Sequence, residues 1–353
     1  MAFKAPFHTQ RNDVMAWSQS DTIELTCTNK WFETPDSVSF ELASKSGETE
    51  FQFKPGQFSS LGFDIDGSKA FRAYSISSVP GRNTLKFTVK RVAGGLVSNH
   101  IVEQLEVGAQ VEALAPFGHF NNVDCQPKNK VLMISAGCGI TPVMSMVDQW
   151  LVDGADVNVE FLHLAKSKQD AIYFDRLVEL HQTVDNFALK MLLEDNSGTD
   201  FPQGLINLEW LTSLIPDFHE RTVYLCGPTG FMEVVKSSLE QANFDMSEFH
   251  QESFTPTNVT LDMEEGIVKV AVPDFGIELD ADKGSLLIDA LERGGVPVIA
   301  ACRSGICGSC KCKVKVGQVD STSYETLTEE EKANGFVLAC SSTIKSDVEL
   351  SLN

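Results

Sequence analysis

Three cysteines of the stretch CRSGICGSC, Cys302, Cys307 and Cys310, form a Cys-x4-Cys-x2-Cys array, and Cys340 follows after a turn-rich stretch and the apolar run FVLA. That is the thiolate spacing of a plant-type [2Fe–2S] site. A tight loop lets three thiolates converge on one iron pair, Gly305, Gly308 and Ser309 leave the backbone room to wrap it, and the fourth ligand comes from far along the chain. Structural zinc is the competing chemistry. It usually takes two Cys-x2-4-Cys knuckles or a Cys/His mixture, and only one knuckle is present here. Cys312 lies outside the ligand spacing and reads as structural.

Four other stretches carry residues that can seat phosphates or rings. RAYSISS lies on an expected strand and sets Arg72, Tyr74 and Ser75 on alternating faces. KRVAGGLVSNHI leads through Gly94 and Gly95 into a helix start at Leu96 to Ser98, and exposed N–H groups beside Lys90 and Arg91 make a phosphate seat. AGCGITPVMSM follows a buried strand and precedes a helix. Its Gly137 and Gly139 permit a tight turn, with Thr141 and Pro142 expected at the N-cap and first turn. It lacks the third glycine of the usual dinucleotide fingerprint. YLCGPTGFM turns at Gly227 and Pro228 and is expected to expose Cys226 at a strand's carboxyl end, where α/β sheets bind ligands. Taken singly, each of these is compatible with an ordinary turn or a packed core residue.

The elements that must position these residues fall into three blocks, more than one hydrophobic core serves in a chain of 353 residues. Short alternating runs from about 20 to 120 (DTIELTCT, SVSFELAS, TEFQFKPGQFSSL, RAYSISSVP, TLKFTVKRV) predict an antiparallel β-barrel or sandwich domain over 1–124, whose first 20 or so residues are an extension. From 125 to 252, strands alternate with helical segments, which predicts an α/β domain with a parallel sheet. A linker is expected over 253–266, and an α+β unit over 267–353, in which SLLIDALERGG reads as a helix capped by Ser285.

The formal net charge of -21 disfavours nucleic acid and anionic membranes as partners, and either steers a basic partner protein or simply confers solubility. From Glu265 onward there are 14 acidic and 9 basic side chains, so most of the excess lies upstream of the cysteine-rich part. Nine scattered cysteines and the absence of an apolar signal core after Met1 predict a reduced, cytoplasmic setting, and no apolar run is long enough to span a bilayer.

RAYS, GGLVS, GCGITP, CGP and ESF, in that order, resemble the ferredoxin–NADP reductase superfamily, and CRSGICGSC narrows the resemblance to reductases fused to a plant-type ferredoxin of β-grasp fold. The run AACRSGICGSCKCKV and the run LTEEEKANGFVLACS resemble the NADH oxidoreductase of hybrid-cluster protein. FKPGQF, KRVAGGLVSN, GITPVMSM and FDMSEFHQESF resemble the reductase components of Rieske-type oxygenases, including those acting on quaternary amines.

The resemblance implies FAD, a nicotinamide dinucleotide and a [2Fe–2S] cluster in series. It implies that Arg72, Ala73, Tyr74 and Ser75 hold the flavin, with Lys90, Gly95, Val97 and Ser98 at its pyrophosphate. Gly137, Gly139, Thr141 and Pro228 would meet the dinucleotide, and Cys226 and Gly227 the nicotinamide ring, with Glu252 and Phe254 closing over the flavin. Cys302, Cys307, Cys310 and Cys340 would hold the cluster. The family points to NADH. The second strand of the nucleotide domain ends in HLAKSKQD with no terminal acid, so Lys166 and Lys168 also permit NADPH. Hybrid-cluster protein is the leading expected acceptor, an oxygenase component the alternative, and a redox sensor without turnover the remote one.

Overall fold

The computed structural model describes Trp17 and residues 22–254, 266–303, 305, 307–324 and 326–352. The expected linker over 253–266 lies largely outside these residues, as does the N-terminal extension apart from Trp17.

Alternation of apolar and polar residues drives the first block into strands Ile23–Thr34 (β1), Ser37–Ser44 (β2), Phe58–Ile65 (β3), Ser68–Ser75 (β4) and Thr84–Lys90 (β5). Helix Leu96–Glu103 (α1) and strand Gln110–Ala113 (β6) complete it. The strands form an antiparallel sheet in the order β4-β3-β6-β1-β2-β5, and an Ile76–Phe87 bridge joins its two edges. Phe40 and Phe87 face each other across β2 and β5 with ring centres 5.6 Å apart, a stacked pair at the heart of the barrel core. The expected strand TEFQFKPGQFSSL is shorter than its pattern implied, beginning only at Phe58. The reason is Gly56, at φ 107°, where a Cβ would stand 2.3 Å from the carbonyl of Phe120, so the chain turns there.

The second block alternates strands and helices: Lys130–Ala136 (β7), Ile140–Asp153 (α2), Asn158–Ser167 (β8), Phe174–Thr183 (α3) and Phe187–Asp195 (β9), then Leu208–Leu214 (α4), Thr222–Cys226 (β10), Thr229–Gln241 (α5) and Phe249–Glu252 (β11). All pairings in the sheet β11-β10-β7-β8-β9 are parallel. Both faces are covered, which is why these strands are apolar throughout. Val131 and Met133 join the core on one face, while Leu132 and Ile134 join the core on the other.

The third block comprises Ile267–Val272 (β12), Ile277–Asp282 (β13), Leu287–Arg293 (α6), Lys311–Val316 (β14) and Val319–Ser321 (β15). Glu329–Ala333 (α7), Phe336–Leu338 (β16), Ser342–Ile344 (β17) and Val348–Ser351 (β18) follow. A mixed sheet, β13-β12-β18-β14-β16, packs Val270 and Leu350 against Leu287 and Leu291 of α6. Ser285 is not the cap of that helix. Leu286 holds the N-cap position, while the Ser285 hydroxyl donates to the Asp282 carbonyl at 2.6 Å and closes the preceding turn. Helix α7 carries a capping box between Thr328 and Glu331. No helix among the described residues is long and apolar enough to cross a membrane.

The edge of the nucleotide sheet opposite the predicted sites is tied by Arg221, only 4% exposed. It donates to both carboxylate oxygens of Asp217 at 2.8 Å, to Asn158 Oδ1 at 2.8 Å and to the Val131 carbonyl at 3.1 Å, linking the starts of β7, β8 and β10. These bonds hold the Asp217 carboxyl below its usual range. Arg221→Ala should cost about 3 kcal/mol, because it strands a buried carbonyl and breaks a largely buried ion pair. Urea unfolding of the holoprotein checks this, and an unmoved first transition would show the network to be energetically idle.

Candidate active site and cluster loop

The nucleotide sheet reverses its order between β7 and β10, and at that switch point the loops beyond both strands diverge into a crevice. Gly137, at φ 53°, bends the chain out of β7. A Cβ on Gly139 would lie 2.2 Å from the Cys226 carbonyl, so the two strand ends pack backbone to backbone. Gly139, not Thr141, holds the N-cap position of α2. Thr141 lies inside the first turn and donates its hydroxyl to the Cys138 carbonyl at 3.0 Å, leaving the helix N-terminus open to the crevice.

Cys226 departs from expectation. Its side chain is 0% exposed and belongs to the nucleotide domain's core, and it is Gly227 and Pro228 that line the crevice. Because the Cys226 carbonyl is pressed against Gly139, the thiol stays behind the wall. Burial pushes its pKa well up, and the nearby Glu252 and Cys138 add to this.

Strand β4 forms the facing wall with Arg72, Ala73, Tyr74 and Ser75. The Arg72 guanidinium donates to the Phe71 carbonyl at 2.6 Å, and burial together with Arg303 lowers its pKa. Burial also pushes the Tyr74 phenol up, so it stays a neutral donor. The Ser75 hydroxyl is buried without a protein partner. At the end of this wall α1 begins at its N-cap Gly95, where Val97 and Ser98 are buried and Ser98 Oγ accepts the Val92 N–H at 3.2 Å. Lys90 reaches the same wall, paired with Asp36 at 3.1 Å.

The two walls enclose one cavity of about 930 Å³. Glu252 and Phe254 stand at its far side, Phe254 being 45% exposed. Glu252 Oε2 is buried with no hydrogen-bond partner, and burial pushes the carboxyl pKa up to about 8. Two orphaned polar atoms, a neutral phenol and an open helix N-terminus along one cleft fit a flavin dinucleotide and a nicotinamide meeting within it.

Cys302 and Arg303 of the third block line the mouth of that cavity. Behind them the other predicted ligands converge. The Gly305 N–H points at Cys340 Sγ from 3.2 Å, the Cys340 N–H at Cys310 Sγ from 3.4 Å, and Cys302 lies within hydrogen-bonding reach of both Cys307 and Cys340. Gly305 and Gly308 sit at φ 74° and 76°, and a Cβ would meet Ser323 at 2.6 Å and Thr326 at 2.9 Å respectively. Three thiols on a loop that admits only glycine at two turns, with Cys340 brought in from a later turn, fit a [2Fe–2S] cluster. Cys312, fully buried in the core of this block, stands apart from them.

One wall residue escaped the sequence reading. Asp170 lines the cavity beside Lys166, its carboxylate accepting the Ser167 hydroxyl at 2.6 Å. It lies three residues beyond the last residue of β8, so a search ending at the strand's terminal residue passes over it. The Ser-x-x-Asp spacing, a common local hydrogen-bonding turn, was the available signal. Lys168 faces elsewhere, its ammonium 4.8 Å from the centre of the Phe174 ring.

Comparison with known proteins matches three families along the chain: an oxidoreductase FAD-binding domain over 24–122, an oxidoreductase NAD-binding domain over 133–237 and a 2Fe-2S iron-sulfur cluster binding domain over 271–345. The chain is 38% identical over 319 residues to a glycine betaine monooxygenase reductase subunit of Pseudomonas aeruginosa, covering 84% of this chain and 87% of that protein. It is 33% identical over 349 residues to the stachydrine N-demethylase reductase subunit Stc4 of Rhizobium meliloti, covering 95% and 97%. It is 32% identical over 322 residues to the NADH oxidoreductase HCR of Escherichia coli, covering 90% and 94%. The cofactors are FAD, NAD(P)H and a [2Fe–2S] cluster, and the protein is an electron-transfer oxidoreductase.

Burial raises the pKa of the Glu252 carboxyl to about 8, so it is mostly protonated at neutral pH and places a negative charge in the cavity as pH rises through that value. The rate of flavin bleaching by NADH should therefore fall above that pH in the wild type and stay level in Glu252→Gln. Stopped-flow absorbance across pH 6–10 checks this, and an identical profile in both proteins would remove Glu252 from the site.

Proposed function

We propose, because this chain belongs to the family of FAD- and NAD-binding reductases that carry a C-terminal [2Fe–2S] domain, that it is the reductase component of an oxygenase acting on a small quaternary amine. The observation that carries this reading is the higher identity to the glycine betaine and stachydrine reductases over nearly their whole length. Hybrid-cluster protein, the acceptor favoured from motifs alone, becomes the second reading, supported by the lower identity to HCR.

When bound, FAD would supply the conversion between a two-electron hydride donor, the nicotinamide, and the one-electron [2Fe–2S] centre. The chain's residues position the parts. In this reading β4 orients the ring system through Tyr74 and Ser75 while Arg72 meets phosphate, and the N–H groups after Gly95 seat the pyrophosphate beside Lys90, Val97 and Ser98. Gly137, Gly139 and Thr141 bring the start of α2 to the nicotinamide dinucleotide, with Gly227 and Pro228 opposite. Phe254 covers the far side, Glu252 holds a proton, and Cys226 backs the wall without touching the ring. Cys302, Cys307, Cys310 and Cys340 bind the cluster. Domain limits near 124 and 252 with a linker over 253–266 complete the reading.

The structure also bears on the choice of nucleotide. Asp170 is held by Ser167 on the wall that the adenosine ribose would meet, Glu194 and Lys166 line the same cavity, and Lys168 is engaged elsewhere. An acid in that place accepts a ribose 2′-hydroxyl and repels a 2′-phosphate. NADH is therefore the donor in this reading. Asp170→Asn should narrow the preference for NADH over NADPH in kcat/KM by about tenfold, as the loss of one charged hydrogen bond implies. An unchanged ratio would place the determinant elsewhere.

The acceptor is tested by mixing the reduced protein with a purified quaternary-amine oxygenase component or with hybrid-cluster protein and following NADH-driven reduction of each. Faster reduction of hybrid-cluster protein would reverse the order of the two readings. Cys307→Ser should abolish transfer to either protein and spare NADH oxidation by ferricyanide, whereas equal losses in both assays would break the proposed order of carriers.

A further inference from the structure

The barrel and the nucleotide sheet meet along a seam, and the Tyr173 side chain is among those that cross it. Tyr173, just before α3, adopts a left-handed backbone at φ 61°. A bulky residue holds that conformation only where its surroundings over-determine it. Its ring packs in the nucleotide domain's core, while the partners of its phenol are in the other domain. The buried phenol is hydrogen-bonded to Thr88 Oγ1 and Ser77, Thr88 Oγ1 is bonded in turn to Ser39 Oγ at 2.6 Å, and the Lys86 ammonium stands 5.0 Å from the ring centre.

Thr88 is tied to the nucleotide domain at both ends. While its hydroxyl meets Tyr173, its carbonyl accepts the Cys138 thiol proton at 3.2 Å, and Cys138 is the residue between Gly137 and Gly139. Thr88 also lines the cofactor cavity. A further bond, Ser145 Oγ to the Ser78 carbonyl at 2.7 Å, crosses the seam nearby from α2. On its outer side Tyr173 walls a second cleft of about 700 Å³, lined by Asp148, Lys168 and Arg176, so the phenol separates that cleft from the cavity.

We propose that Tyr173 is a positioning residue for hydride transfer: a strut that, through Thr88 and Cys138, sets the separation between the Tyr74–Ser75 wall and the Gly139–Gly227 crevice. The inference rests on the reading of the cavity given above. Hydride transfer needs the reacting atoms about 3–3.5 Å apart, and a misplacement of about 1 Å costs on the order of 100-fold in rate. A strut bonded at its tip and strained at its base holds that separation more tightly than apolar contact between two domains.

The test is anaerobic stopped-flow bleaching of the flavin at saturating NADH, with NAD+ affinity by titration and amide exchange over residues 137–145. Tyr173→Phe and Thr88→Val should each slow bleaching about tenfold, as a sub-ångström shift implies. The double variant should be no slower than either single one, because both remove the same link. Thr88→Ser, which keeps the hydroxyl, should hold the wild-type rate. NAD+ affinity should stay within about twofold while exchange over 137–145 rises, since the loop keeps its bond to the Thr88 carbonyl but the strand that carries this carbonyl is no longer held by Tyr173. Wild-type bleaching in Tyr173→Phe, additive losses in the double variant, or a loss confined to NAD+ affinity would overturn the strut. A wild-type protein whose flavin NADH does not bleach would overturn the reading of the cavity, and the strut with it.

Discussion

No side chain fits at position 139. With the Cys226 carbonyl 2.2 Å from the place a Cβ would take, the ends of the two central strands touch main chain to main chain. Other features of the crevice follow from that contact. It aims the N-terminus of α2 outward, turns the Cys226 thiol inward, and leaves Gly227 and Pro228 as the opposite lip. It also fixes the register at which β7 and β10 pair, since Ser135 is already matched to Cys226 one step before the chains diverge. A parallel sheet offers such a notch only where its strand order reverses, so the topology and the glycine are two statements of one constraint.

The cavity that opens from this notch concentrates groups whose charge states differ from those in water. Desolvation keeps the Glu252 proton on, keeps the Tyr74 phenol neutral and weakens the hold of Arg72 on its charge. All three shifts act in one direction, towards neutral forms. A cleft of that kind is low in dielectric before any cofactor enters, and small displacements of a dipole within it carry more electrostatic weight than they would in solvent.

Much of this was legible in the residues. The cluster loop could be read because thiolate spacing and glycine placement are local, and Gly305 and Gly308 occupy the left-handed turns that their positions between the cysteines suggested. The parallel sheet could be read because strands such as KVLMISA, buried on both faces, are apolar without alternation. What failed was short-range and steric. Thr141 and Ser285 looked like caps by composition, yet which residue starts a helix is settled by the turn before it, and in both places that turn used the side chain for its own closure. Cys226 looked exposed because it ends a strand, but whether a strand's last side chain faces the ligand or the core depends on the neighbouring strand's backbone. Tyr173 was invisible for a related reason: its partner, another domain's threonine, is set by tertiary packing, whereas Asp170 left a local signal in its bond to Ser167 and only its place on the cavity wall comes from packing.

The presence of Cys302 and Arg303 in the wall of a cavity built by the other two domains has a kinetic meaning. Handing an electron from the flavin cavity to the cluster loop takes place within one molecule, so its rate does not depend on how much of the protein a cell holds. The hand-over to a separate acceptor is bimolecular, and for a chain of net charge -21 it is sensitive to ionic strength and to the partner's charge. Covalent fusion thus confines the dependence on protein concentration to the last step of the chain. Expression level and salt then regulate the delivery of electrons without touching their passage through the protein.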